Sequence, residues 1–209
     1  MSDGIGWVAE EDELLPGGYC VILARNLTPE DLVRRLVPDT QPRLVGPRTQ
    51  EAFEGELREL LRTADRHYPM AGVRYGSVGD LAFAVGCGQW ELALGRHDTP
   101  VIWYGDVHTY ELYYFAEHPN VPEPHFRYSH NGSVQLSFDI NTDESPYLFD
   151  VDGDDAALVA DMERAAEVTP ALELLEQRFG ITVPKELVLT GELPAAVIKS
   201  PQQTEETRS

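Results

Sequence analysis

The chain has 209 residues, with 16 Lys+Arg against 36 Asp+Glu for a formal charge of −20, and 42% of it is hydrophobic. That length and apolar share suit one globular domain with its own core, and the charge excludes a basic surface for nucleic acid phosphate or an anionic membrane. No run of about 18 apolar residues is present to span a bilayer; with no Lys or Arg from Met1 to Glu13 and only Cys20 and Cys87 as thiols, a cytoplasmic chain with no signal and no disulfide framework is expected.

Residues 1–17 are acidic and punctuated by Gly and Pro, with Trp7 as an apolar anchor beside Leu14 and Leu15. Residues 19–24 form a short apolar run that predicts a buried strand. Thr28, Pro29 and Asp31 then give a helix start, with Leu27 and Leu32 in staple positions and Leu36 on the same face before a stop near Pro38. Residues 41–47 read as a loop. Residues 49–66 repeat the helical period through Phe53, Leu57, Leu60, Leu61 and Ala64.

After Pro69 the period becomes strand-like, over 72–78, 81–85, 89–94, 101–104 and parts of 108–116. Gly86-Cys87-Gly88 reads as a hairpin turn. Asn131-Gly132 is the strongest turn signal, a type I′ dipeptide between Phe126, Tyr128, His130 and Val134, Leu136, Phe138, Ile140. In the last third, Asp155 can cap a helix with Leu158, Val159, Met162 and Ala166. Thr169-Pro170 can start another through Leu172, Leu175 and Phe179, with Gly180 as its left-handed end. Residues 184–189 suit a single turn, and 200–209, lacking any apolar anchor, suit a disordered tail. Short turns between consecutive strands imply antiparallel pairing. The expectation is one α+β domain over 1–199, an antiparallel β-meander sheet packed with N-terminal and C-terminal helices gathered on one face or end.

The succession of a strand, then residues 27–36 (Leu-Thr-Pro-Glu-Asp-Leu-Val-Arg-Arg-Leu), then Trp90-Glu-Leu-Ala-Leu, Gly132-Ser-Val-Gln-Leu-Ser-Phe-Asp and finally Ala171-Leu-Glu-Leu-Leu-Glu-Gln-Arg-Phe-Gly-Ile-Thr resembles an uncharacterised domain family of actinomycete proteins. The likeness spans roughly residues 19–198. Those motifs are caps, turns and core positions, and the resemblance implies no established activity. Fourteen of the sixteen basic residues are Arg, as suits a high-GC genome.

Four constellations are candidates for chemistry. Asp150, Asp152 and Asp154 with Asp161 echo a calcium loop, but Asp155 stands where that loop needs Gly and Asp161 where it needs Glu. Carboxylates at a helix N-terminus explain the run as well. His108, His118, His125 and His130, with Glu111 and Glu117 nearby, lack compact zinc spacing, and half-exposed strand-end histidines explain them. Cys20 reads as a core residue, while Cys87 lacks the positive field a reactive thiol needs. No nucleophile elbow, phosphate loop or dinucleotide fingerprint occurs, so no catalytic residue, metal ligand set or cofactor is expected.

The fourth constellation is uneven charge. Residues 139–167 carry ten acids against Arg164 alone, a local balance of −9, close in sequence to a ring-rich strand region. Aromatic rings with an anionic rim suit a basic protein partner, the rings supplying affinity and the charge speeding encounter. The expected binding surface is Trp90, Trp103, Tyr104, Tyr113 and Tyr114 with Asp150, Asp152, Asp154 and Asp155, the surface of an immunity or antitoxin-like inhibitor. A solvated acidic face over an aromatic core is the plain alternative. A different function class, a small enzyme or small-molecule binder with or without a metal, would use a pocket between sheet and helices at His108, Glu111, His118 and His125, with Trp103 and Tyr113 in its lining.

Overall fold

Eight segments rich in Val, Ile, Ala, Leu and aromatic residues pair into one antiparallel sheet in the order β2-β8-β3-β4-β1-β5-β6-β7. They are β1 (Gly18–Arg25), β2 (Arg43–Arg48), β3 (Met70–Val78), β4 (Leu81–Gly88), β5 (His108–Phe115), β6 (His125–His130), β7 (Ser133–Asp139) and β8 (Leu193–Lys199). With helices α1 (Pro29–Leu36), α2 (Gln50–Thr63), α3 (Val168–Phe179) and α4 (Lys185–Leu189), this is an α+β architecture. The computed structural model describes residues 4–9, 18–36, 41–63, 70–88, 105–115, 125–140, 161 and 168–199. The expected strands at 89–94 and 101–104, the helix after Asp155 and the tail lie outside them. No helix of the described residues is long and apolar enough to cross a membrane.

The apolar run of β1 follows from its central position. Val21 and Leu23 face a core that includes α3, while Cys20, Ile22 and Ala24 face a second core under α1. Helices therefore cover both faces of the sheet, not one face or end as expected. The short α1 carries Leu32, Val33 and Leu36 down one side. Its first turn is closed by Thr28, whose Oγ1 accepts from the Asp31 N–H at 3.2 Å and donates to the Asp31 carboxylate at 2.8 Å. On the opposite side, Phe53 and Leu57 of α2 pack against Ala195 and Val197. Gly72 makes room for that helix, because a Cβ there would lie 2.5 Å from the Phe53 ring.

Two turns carry the expected chemistry. Asn131 and Gly132 have φ of 49° and 79°, both positive as a type I′ hairpin turn requires, and join β6 to β7. Gly180, at φ 60°, ends α3 with its N–H on the Glu176 carbonyl at 2.7 Å. Thr169 lies inside α3 and does not cap it. The Gly86-Cys87-Gly88 stretch is a correction: it belongs to β4, paired with Ala71, Gly72 and Val73, and the turn between β3 and β4 is Gly79-Asp80. Residues 41–47 are likewise mostly strand, since β2 pairs with β8. Arg74, only 2% exposed, ties this corner together by donating to the carbonyls of Arg48, Val188 and Gly191.

The register gives the sheet two unlike ends. Arg25 lies opposite Leu81 and His108, and His108 opposite His130, so the Gly79-Asp80 and Asn131-Gly132 turns and residues 105–107 share one end. At the other end, Gly18 lies opposite Phe115, Gly88 opposite Ala71, His125 opposite Asp139, and Lys199 opposite Met70.

Candidate functional site

Strand alternation divides the expected pocket. His108 points to the α3 face of β5, whereas Glu111, three residues on, points to the α1 face together with Tyr113. His125 sits opposite Tyr113 on that same α1 face, their rings stacked at 4.9 Å. His108, Glu111 and His125 thus belong to two sites and not one. Tyr114 lies in β5 opposite Tyr19. Trp90, Trp103, Tyr104, His118, Asp150, Asp152, Asp154 and Asp155 fall outside the described residues.

The α3 face of the hairpin is a ladder of rings. His130 stacks on His108 at 4.1 Å and 6° between planes, His108 is parallel to Tyr128 at 6.0 Å, and Tyr128 stacks on Tyr110 at 5.1 Å. Phe179 of α3 closes the lower side against Tyr110, Phe126 and Tyr128. Polar edges of these rings are paired. The Arg25 guanidinium donates to the Tyr110 hydroxyl at 2.7 Å, to Asp80 at 2.8 Å and to the Gly180 carbonyl at 3.0 Å. His108 Nδ1 meets the Tyr128 hydroxyl at 2.9 Å, and His130 Nε2 meets the Asp106 carboxylate at 3.1 Å.

Burial, then the adjacent His130, pushes the His108 pKa below 6.5, with Asp106 opposing and Arg25 adding to the fall. Burial also raises the Tyr110 hydroxyl above its ordinary value of 10.0, against the pull of Arg25. The Asp106 backbone is held from two sides. Asn26 Nδ2 donates to its carbonyl at 2.7 Å, and the Gly105 N–H donates to Asn131 Oδ1 at 3.1 Å.

The α1 face of the same strands is polar and buried. Thr109, Glu111, Ser129 and Ser137 are 1%, 5%, 3% and 6% exposed. Arg127 Nη1 faces the Glu111 carboxylate at 3.9 Å, and His125 Nε2 meets Ser137 Oγ at 2.9 Å. Thr109 Oγ1 and Arg127 Nε are buried with no hydrogen-bond partner among the described residues. Two orphaned donors beside a carboxylate and a Ser–His pair can take a polar group with acceptor atoms, since such donors cost free energy until satisfied.

Sequence reasoning did not single out Asp106, Arg25, Thr109, Arg127 or Ser137. Parity along β5 separates His108 from Glu111 at once, but joining His108 to His130 needs the β5–β6 register, which spacing does not carry. Searches against protein-family models, curated proteins and solved structures find no match for this chain.

Proposed function

We propose that this chain is an acidic protein-binding module that engages a basic protein partner as an immunity or antitoxin-like inhibitor does. The observation that carries the reading is segregation of charge. Residues 139–167 hold ten acids against Arg164 alone, a local balance of −9 out of the chain's −20. A concentrated run of carboxylates is what electrostatic steering toward a cationic surface calls for.

The test is capture of the partner followed by binding kinetics across a salt titration, with Asp150, Asp152, Asp154 and Asp155 all changed to Asn in a second protein. A partner of basic pI, association that slows with salt, and a further slowing of about tenfold in the Asn protein are expected. A neutral or acidic partner, or binding indifferent to ionic strength, overturns the reading.

A second reading, a small enzyme or small-molecule binder, is favoured by the orphaned Thr109 and Arg127 donors beside Glu111, His125 and Ser137. Its test is a thermal-shift screen of small carboxylates and phosphates, repeated with Arg127→Met. A ligand that raises Tm in the parent and not in the variant supports it, and the lack of any such ligand discards it.

A further inference from the structure

We propose that Asp106, His108 and His130 form a zinc site at the end of the β5–β6 pair that lies beside the β6–β7 turn. One donor atom from each lies within 4.8 Å of the other two. The set is built by strand register, not by sequence spacing: His108 and His130 are direct cross-strand partners, and Asp106 precedes β5 by two residues. Mixed imidazole and carboxylate donors suit zinc, and three protein ligands leave a fourth position for water or a partner's side chain.

The Asp106–His130 spacing already approximates that of two bound ligands. The His130 Nε2–H donates to Asp106 Oδ1 at 3.1 Å, and two ligands of a tetrahedral zinc with bonds near 2.05 Å stand about 3.3 Å apart. Zinc can replace that proton with little movement of either side chain. His108 turns Nδ1 to the Tyr128 hydroxyl at 2.9 Å, and in the tautomer that donates there Nε2 carries the lone pair. Such a hydrogen bond on the far ring nitrogen fixes ring orientation and raises ligand basicity. To bring the third donor in, the two half-exposed rings must rotate out of their 4.1 Å stack.

The loop that carries Asp106 is fixed by Asn26 and by Asn131, whose own N–H donates to the Val107 carbonyl at 3.0 Å. Two left-handed residues, Asn26 at φ 64° and Asn131 at φ 49°, therefore grip the ligand loop from both neighbouring turns. Arg25, opposite His108 in the sheet, is compensated by Asp80 at 2.8 Å and so opposes a metal ion only weakly.

The experiment uses the full chain without an affinity tag, stripped with a chelator and titrated calorimetrically with zinc alone. One ion per chain with Kd of about 1 µM or tighter is expected. Asp106→Asn and His130→Ala should each weaken binding at least about 10-fold to 100-fold. His125→Ala, on the opposite face of β6, should leave it unchanged. Cobalt in place of zinc should give visible tetrahedral absorption bands that vanish in His130→Ala. Far-UV circular dichroism of each variant reports the fold, and exposed Asp106 offers a substitution that leaves the core untouched. Zinc binding weaker than about 100 µM, or equal affinity in parent, Asp106→Asn and His130→Ala, overturns the proposal.

Discussion

The two faces of the β5–β6 hairpin obey one backbone period and reach opposite solutions. The even-numbered rings of His108, Tyr110, Phe126, Tyr128 and His130 stack on one another or on Phe179 and pair their polar edges with Arg25, Asp106 and one another. Odd-numbered residues bury Thr109, Glu111 and Ser129 as deeply, yet leave Thr109 Oγ1 and Arg127 Nε without partners among the described residues. Burial alone does not distinguish the faces. What differs is how completely the desolvation of polar groups is repaid, and that difference separates a face that holds the fold from one with unsatisfied binding capacity.

Removing a ring from the first face should give the largest effect. Phe126 is fully buried and meets Phe179 at 5.6 Å between centroids. Phe126→Ala should lower unfolding stability by about 3–5 kcal/mol in urea denaturation, the range for deleting a core aromatic. A cost near zero would mean that the ladder is not part of the cooperative core. On the second face the sign should reverse. Thr109→Val keeps shape and removes an orphaned hydroxyl, so stability should rise by about 1 kcal/mol. A loss of that size would show instead that the hydroxyl is hydrogen-bonded in solution, and the contrast between the faces would fail.

What the sequence discloses of this comparison depends on how local each signal is. Thr28 with Asp31, the Phe53–Leu57 stripe, Asn131-Gly132 and Gly180 act within a few residues, and the structure has them as the sequence implies. Strands β2 and β8 are harder to read because Pro47 and Pro194 interrupt them. Both fall where the β2–β8 register shifts between Val45 and Arg48, a bulge that tolerates residues without an N–H. Gly86 and Gly88 look like turn residues, but β4 continues through them, and the turn falls at Gly79-Asp80, where φ is 59°. The His108–His130 pair is less legible still, since 22 positions separate them and only the pairing of β5 with β6 unites them.

The smallest expected effect sharpens the comparison by pH. His108 titrates below its ordinary 6.5 in the folded chain, first because burial disfavours the imidazolium and next because His130 is stacked on it. The folded state therefore holds the neutral ring more strongly than the unfolded chain does. Between the lowered folded value and about 6.5 the unfolded chain binds more protons, so unfolding free energy rises with pH across that window. The contribution is fully present above about 6.5 and is lost as pH falls through the folded value. Denaturation midpoints taken from mildly alkaline to mildly acidic buffer should decline, and His108→Phe, which keeps a ring in the ladder, should flatten that decline. Tyr110 supplies the opposite limb. Burial raises its hydroxyl above 10.0, so its contribution holds below that value and is lost as pH climbs through the raised one. A decline below neutrality that His108→Phe leaves intact would move the acid sensitivity away from the ring ladder.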